Sequence, residues 1–411
     1  MQQPYRYQLV VMGPNASLFS RLHEAPFFDG FEELGLAPSE YLQVVPGDRE
    51  ADIVGKGAVV GLWYGGPPGF PGEADHLETL AALQRLGAKI FPLVEDLTLF
   101  GRQIPAALQS INGIPWSDAR VVGDVLRAFG LTRRQRQAFL SYKRSDSEGI
   151  ARQLAHTLFD RGYQVFLDTA SVERGMPFQN VLHDRLADID LVVLLDSPNA
   201  LQSRWVHEEL DLINQLGLGV LQLLWTRPDP EDATQLDLRA TKGTEFSVRF
   251  PLEPSHFVDP GVTIGTKALL RDEILDRVAD RAESTRIRSL GARQARVLSY
   301  LHAEVRRKGL TFEVEPAGPA HILKDRKTIA TLYPIVGLPD ALAIEEFEQK
   351  VAGGGDRRSA MRPGDFGPYR IVYDGLGILD ERLRHLTWLN SQLFLKTLRT
   401  ELLNDWLAEL S

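Results

Sequence analysis

LVVLLDSPNALQSRWVHEEL, residues Leu191 to Leu210, passes from one kind of secondary structure to another in a single stretch. Leu191 to Leu195 is an unbroken apolar run of strand length, without the polar alternation of a strand that has one wet face. Ser197-Pro198-Asn199 breaks it. Trp205 and Glu209 follow at helical spacing, so both side chains are expected on one helix face about one turn apart. A buried strand, a loop and a helix in that order make half of a parallel α/β unit.

Upstream, Gln137 to Tyr142 (QAFLSY) is a second short apolar run, and Lys143 to Glu148 is a polar loop. Ile150, Leu154 and Leu158, with Ala155 and Phe159 beside them, mark a helix that Gly162 closes. Gln164 to Leu167 is a strand ending at Asp168, and the loop Thr169 to Pro177 carries Gly175 and Pro177 as breakers. Downstream, Val220 to Trp225 is the next strand. Strand and helix in alternation predict a parallel sheet whose loops form a crevice at the carboxyl ends of the strands. The expected fold class is α/β with a flavodoxin-like parallel sheet.

Five motifs then occur in order: FLSYKRSD (Phe139 to Asp146), GYQVFLD (Gly162 to Asp168), ERGMPF (Glu173 to Phe178), LVVLLDSPNALQSRWVHEEL and the strand after it. Together they resemble a TIR domain, over residues 133 to 284. The family includes scaffolding members and enzymes that cleave NAD⁺ between nicotinamide and ribose. The enzymatic members carry a glutamate four residues after a tryptophan on this helix, which in this chain is Glu209 and not Glu208.

Cleavage of the nicotinamide–ribose bond passes through an oxocarbenium-like state, which a carboxylate stabilises while it hydrogen-bonds the ribose hydroxyls. Nicotinamide leaves as a neutral ring, so neither a general acid nor a metal is required. The resemblance implies Glu209 as the catalytic residue and Trp205 as a wall for the flat substrate. Trp225, at the end of the next strand, is a second wall candidate or a packing residue. The loop Ser141-Tyr142-Lys143-Arg144 reads either as an approach to the diphosphate of NAD⁺ through its backbone and cations or as a solvated polar loop, and no glycine-rich phosphate cradle is present. Phe139, before it in the strand, is counted with Ser141, Tyr142, Arg144 and Asp168 as substrate-binding. Asp168 and the loop after it match the loop that gates TIR sites and forms assembly contacts. NAD⁺ enters as substrate, and no cofactor is implied. Self-association through the TIR domain is expected.

The N-terminal third contains a faint repeat of this unit. With Gly87 set on Gly217, an offset of 130, His76 to Val94 lies over His207 to Leu224, one residue out at its start. The same offset sets Leu9-Val10-Val11 on Phe139-Leu140-Ser141, and Ala58 to Tyr64 falls near the strand at Leu191. A second flavodoxin-like or degenerate TIR-like unit over 1–130 is expected. Thr79 takes the place of Glu209 and Asp75 that of Trp205, so this copy lacks the catalytic charge. The loop Gly65 to Gly72 reads as a surface loop, with a ligand site as the alternative.

Residues 285–411 resemble no family and are expected to form an α+β domain with a regulatory, sensing or oligomerisation role. Leu290, Val297, Leu298, Leu301 and Val305 mark one apolar helix face. Arg286, Arg288, Arg293, Arg296, Arg306, Arg307 and Lys308 lie off it, as a solvated face or, less well supported by aromatics, as a nucleic-acid surface. Leu310 to Val314, Thr328 to Ile335 and Tyr369 to Tyr373 read as strands, and Leu379 to Leu410 as a long helix or helix pair. Glu313, Glu315 and Lys324 do not have a spacing diagnostic of nuclease chemistry.

The whole chain is consistent with this division. At 411 residues it is long enough for two or three domains. Its 44% hydrophobic and 25% charged content is that of a globular protein. The net charge of −9 disfavours nucleic acid as a partner. With no cysteine, disulfides, thiol catalysis and cysteine-ligated zinc are excluded. MQQPYRYQLVVMG lacks a signal pattern and no apolar run of about 18 residues occurs, so a cytoplasmic location without membrane contact is expected. Two other readings stay open: a non-catalytic TIR adaptor that only recruits partners, and a TIR enzyme that makes a cyclic ADP-ribose signal. A small-molecule signal or a protein partner at the flanking regions would suit either enzyme.

Overall fold

β1 (Tyr7–Met12) is buried along its whole length, as a strand covered on both faces must be. β2 (Leu42–Pro46), β3 (Ala58–Tyr64), β4 (Lys89–Val94) and the short β5 (Ile114–Pro115) complete its sheet in the order β2-β1-β3-β4-β5. Every pairing in it is parallel. In the second sheet β6 (Gln137–Tyr142) and β8 (Leu191–Asp196) are likewise buried at every position. With β7 (Gln164–Leu167), β9 (Gly219–Trp225) and β10 (Ser247–Leu252) they give the order β10-β9-β8-β6-β7, again all parallel. Taken from the first strand of each, both sheets have the same flavodoxin-like order.

In the computed structural model the described residues are 7–34, 36–53, 58–118, 120–129, 131–132, 136–167, 186, 188–198, 213, 216–225, 247–314, 319–351, 368–375, 378, 380–392 and 395–410. The chain divides into two units. One comprises Met1–Thr132, Phe312–Thr331 and Glu346–Gly367; the other Arg133–Thr311, Leu332–Glu345 and Pro368–Ser411.

The helix ends fix how the two sheets correspond. Gly87 has φ +68 and Gly217 φ +64, the left-handed conformation that glycine adopts without strain. Ala88 N–H bonds Leu83 O at 3.0 Å and Leu218 N–H bonds Ile213 O at 3.1 Å, the same helix-closing hydrogen bond in both copies. Leu83 therefore corresponds to Ile213 at the offset of 130. The first strand does not keep that offset. Val10 pairs with Gly61 and Gly61 with Ile90, and Val10 and Ile90 share a core with Leu80 and Leu83. The matching row is Phe139, Val192 and Val220, packed with Ile213 and Leu216. Val10, not Leu9, thus corresponds to Phe139. A one-residue slip in a strand turns every side chain to the other face, so one constant offset cannot serve all elements at the level of side chains.

In the second unit the other face of the sheet is covered by two helices. Arg144–Asp160 contributes Ile150, Leu154 and Leu158, and Asp272–Arg307 contributes Ile274, Leu275, Val278, Ala279 and Ala282. Asp272–Arg307 is one helix, which begins well before the apolar face expected from Leu290. It passes without a break through the 284/285 boundary assumed above. Its middle is buried on nearly every side, including Arg286 at 1% exposed and Arg293 at 8%. These two arginines therefore belong neither to a solvated face nor to a nucleic-acid surface.

Intrachain acceptors account for both. Arg286 Nε lies 3.3 Å from Asp190 Oδ2 and its Nη1 3.2 Å from Glu283 Oε1. Arg136 Nη2 meets the same Glu283 oxygen at 3.3 Å, and Tyr163 Oη donates to Glu283 Oε2. Asp190 also accepts Gln137 N–H at 3.0 Å, and Arg293 donates to Ile189 O at 3.1 Å. Burial alone would raise the Glu283 carboxyl; Arg286, Arg136 and the Tyr163 hydroxyl outweigh it and hold it below the usual range.

A third, mixed sheet has the order β11-β12-β13-β14-β15, formed by β11 (Thr311–Val314), β12 (Ala320–Lys324), β13 (Lys327–Pro334), β14 (Tyr369–Tyr373) and β15 (Lys396–Arg399). β15 interrupts the stretch expected to be helical from Leu379, leaving helices Asp380–Gln392 and Leu403–Leu410.

Asp190→Ala should leave Arg286 buried beside an empty acceptor. The second unit is expected to lose about 3–5 kcal/mol, read as a lower urea midpoint. Asp190→Ala with Arg286→Met should recover much of that loss. Because Glu283 has a lowered carboxyl pKa, its share of stability is present above the unfolded value and is lost as pH falls through the folded one.

Candidate functional site

β6 lies between β7 and β8, where the strand order reverses, and in a parallel α/β sheet this marks the carboxyl ends of β6 and β8 as the place for a crevice. Side chains alternate along each strand, which decides what faces that crevice on a given side. Phe139, 3% exposed, packs with Leu186, Ile189, Val192, Leu194, Ile213 and Leu216, and the period of two puts the buried Ser141 on the same face. Tyr142 is on the opposite face, packed with Ile150, Leu154 and Leu158. Its ring is a core residue of that layer and does not share a face with Phe139 and Ser141, contrary to the grouping expected from sequence.

Trp225 is also a packing residue. It is 3% exposed, its indole N–H donates to Thr263 O at 2.7 Å and its ring meets that of Phe257 at 6.2 Å. With the ring in the core and its one polar group used internally, no wall is left for a substrate. Arg144 is exposed and opens the helix Arg144–Asp160, after an extended cap at Lys143. Trp205, Glu209, Asp168 and the Glu173 to Phe178 loop lie outside the described residues.

Four polar residues that sequence reasoning passed over are buried in this sheet and in the turns that leave β6 and β8. Asp146, 3% exposed, accepts Ser145 Oγ at 2.7 Å and Ser197 Oγ at 3.1 Å. Gln222, fully buried inside β9, donates to Asp196 Oδ2 at 2.8 Å. β8 pairs with β9 so that Leu194 opposes Gln222, and with β6 so that Leu194 opposes Ser141. Ser141, Asp196 and Gln222 thus line one face, on the side of Phe139. The available signal was a lone polar residue in each apolar run, Asp196 at the end of LVVLLD and Gln222 within GVLQLLW.

The corresponding place in the first unit is filled by its own chain. Gly13, at φ +97, lies so close to β3 that a Cβ there would come within 2.2 Å of Tyr64 O. Its N–H donates to His76 Nδ1 at 2.9 Å, and Asn15 Nδ2 donates to Gly65 O at 2.6 Å. Gly65 and Gly66 are buried while Pro67, Pro68 and Gly69 are exposed, so only the second half of that loop is a surface loop. Thr79 is fully buried against the sheet. Behind it, His23 Nδ1 stands 2.5 Å from the hydroxyl of the buried Tyr64. Burial lowers the pKa of both His23 and His76.

Among the described residues no group of three or more His, Asp or Glu side chains could hold a metal ion. No helix among them is long and apolar enough to cross a membrane.

Residues 138–248 match the family model described as TIR domain. The chain therefore carries a TIR domain, in the second sheet and around the crevice just described. No curated protein matches the chain. Among solved structures, one similar chain comes from the activated Roq1 resistosome directly recognizing the pathogen effector XopQ (its TIR domains). It is 23% identical over 22% of this chain, with a TM-score of 0.21, and this chain spans 58% of its length. Another is the C-terminal domain of glucosamine-fructose-6-phosphate aminotransferase from Francisella tularensis, 9% identical over 70% of this chain and 84% of that one, with a TM-score of 0.20.

Burial lowers the pKa of His23 and His76 in the folded chain, so the unfolded chain binds more protons below about pH 6.5. Stability of this unit is expected to be complete above that pH and to decline as pH falls through it. Urea midpoints at pH 7.5 and 5.5 measure the decline, and His23→Gln should flatten it. An unchanged slope in His23→Gln/His76→Gln would assign the decline to other groups.

Proposed function

We propose that the TIR domain cleaves NAD⁺ between nicotinamide and ribose, with Glu209 as the residue that stabilises the transition state. The observation that carries this reading is Trp205 followed by Glu209 at a spacing of four, inside the residues that match the TIR family model. The surroundings support it. At helical spacing Glu209 stands four residues before Ile213 and seven before Leu216, and both of those are buried beside Phe139. In the first unit the residue four before the corresponding Leu83 is Thr79, which is wholly turned to the sheet. That spacing favours Glu209 over Glu208 as the residue that meets the substrate.

The chemistry needs little beyond this. The C1′–N bond breaks with its electron pair going to nicotinamide, which leaves neutral. Positive charge grows on the ribose and is countered by the Glu209 carboxylate. Water adds to C1′ and releases a proton to solvent. Phe139 and Ser141 form the floor, and Lys143 and Arg144 meet the diphosphate. A cyclic ADP-ribose product would follow the same bond cleavage with a different acceptor, and a pure scaffold would need no carboxylate at position 209.

An NAD⁺-cleaving enzyme that was always active would exhaust a cofactor its own cell requires. The resemblance to bacterial TIR effectors accordingly suggests an antiviral defence role with activity latent until the protein assembles.

Glu209→Gln is expected to reduce nicotinamide release about 100-fold or more, with Glu208→Gln far milder and both variants folded. Equal release by Glu209→Gln and the parent protein would remove the catalytic assignment. Specific activity should rise with protein concentration in step with particle mass, and substitutions within Glu173 to Phe178 should suppress that rise. Full activity in a strictly monomeric sample would place the regulation elsewhere.

A further inference from the structure

Asp146 has no part in the chemistry above, yet its buried carboxylate lies where two loops of the crevice meet. Ser145, which donates to Oδ1, belongs to the cationic turn with Lys143 and Arg144. Ser197, which donates to Oδ2 and is fully buried, is the first residue after β8, and from it the chain runs on in sequence to Trp205 and Glu209. The main chain of Asp146 is held as well. Its N–H donates to Lys143 O at 3.0 Å and its carbonyl accepts Gly265 N–H at 2.6 Å.

The segment after β10 supports this turn from behind. A Cβ on Gly149 would stand 2.6 Å from the carbonyl oxygens of both Thr266 and Ala268, so the segment presses directly on the start of the helix. Gln153 closes it with two hydrogen bonds to the main chain of Leu270, at 3.1 and 2.9 Å. The turn after β6 therefore has a rigid backing on one side and a tie to the β8 loop on the other. A carboxylate removed from water is stable only while its oxygens are hydrogen-bonded, so its burial favours the loop spacing that keeps both serines in reach.

We propose that Asp146 is a positioning residue, which sets the distance between the Lys143–Arg144 turn and Ser197 at the end of β8 and so governs how tightly that turn holds a diphosphate. The proposal rests on the NAD⁺-cleaving reading for its ligand but not for the tie itself. Asp146 touches no reacting atom, so its loss should be felt in binding.

The test is the kinetics of Asp146→Asn, Ser197→Ala and the double variant, under conditions in which the parent protein is assembled. Each single substitution is expected to raise KM about tenfold with kcat within about twofold, and the double variant should be no worse than the weaker single one. A fall in kcat at unchanged KM, or effects that multiply in the double variant, would reduce Asp146 to packing. Hydrogen exchange gives a second measurement that needs no turnover. Both single variants should lose amide protection at residues 143–149 while the rest of the sheet keeps it. Unchanged protection there in Ser197→Ala would overturn the tie whether or not NAD⁺ is cleaved. A parent protein without nicotinamide release, whose 143–149 amides still respond to both substitutions, would sink the catalytic reading and uphold the tie.

Discussion

A guanidinium inside a protein needs its charge and its donors met at once, and the second unit is arranged around meeting those of Arg286. The residue sits in the middle of a long helix, almost wholly removed from water, with Asp190 and Glu283 as acceptors. Asp190 immediately precedes β8 and also accepts from the main chain at the start of β6. Glu283 in turn holds Arg136, which precedes β6, and Tyr163, which precedes β7. One cluster thus binds the amino-terminal ends of three adjacent strands to one helix. A buried pair of this kind adds little net stability over an apolar core, but breaking it is costly, so it specifies which helix lies under which strands. With that edge of the sheet fixed, the loops at the opposite edge are left to carry chemistry.

Strands covered on both faces were the most legible part of the chain, because they appear as unmixed apolar runs: β1, β6, β8 and β9 all stand where those runs are. The long helix was less legible. Its Arg286 and Arg293 look like a wet surface when charge is read as exposure, and only tertiary partners turn them into an interior. β12 was missed for a local reason. Its turn into β13 is Asp325-Arg326, both at positive φ, where a two-residue hairpin ordinarily announces itself with asparagine or glycine.

At the site, the sequence reading grouped Phe139, Ser141 and Tyr142 in one stretch and did not separate the face of the first two from that of Tyr142, nor assign Trp225 to the core of the other layer. Asp146, Ser197, Asp196 and Gln222 were illegible for a different reason. Each is a single polar residue, and its significance lies in a partner far away in sequence. The comparison of the two parallel sheets carries the same lesson. Strand order and helix ends agree closely enough to be seen from spacing, whereas the facing of the first strand depends on a slip of one residue. In the first copy that strand end is closed by Gly13, Asn15 and His76, and the carboxylate position holds a buried threonine. Two sheets of one strand order therefore differ in what stands at the end of their first strand.

The continuity of the Asp272–Arg307 helix also bears on how the TIR domain can be separated from its neighbours. A fragment ended at Ser284, the limit of the resemblance read from the sequence, would keep Glu283 and Asp190 and discard Arg286. It would carry two carboxylates into the interior against the single guanidinium of Arg136, and would lose the Ser289 hydroxyl from Gly217 O. Such a fragment would be acidic at the base of its sheet and prone to misfold for reasons unrelated to its chemistry. A fragment that keeps Glu283 and Asp190 with their guanidinium partner has to run past Arg286, beyond the last residue that matches the family model.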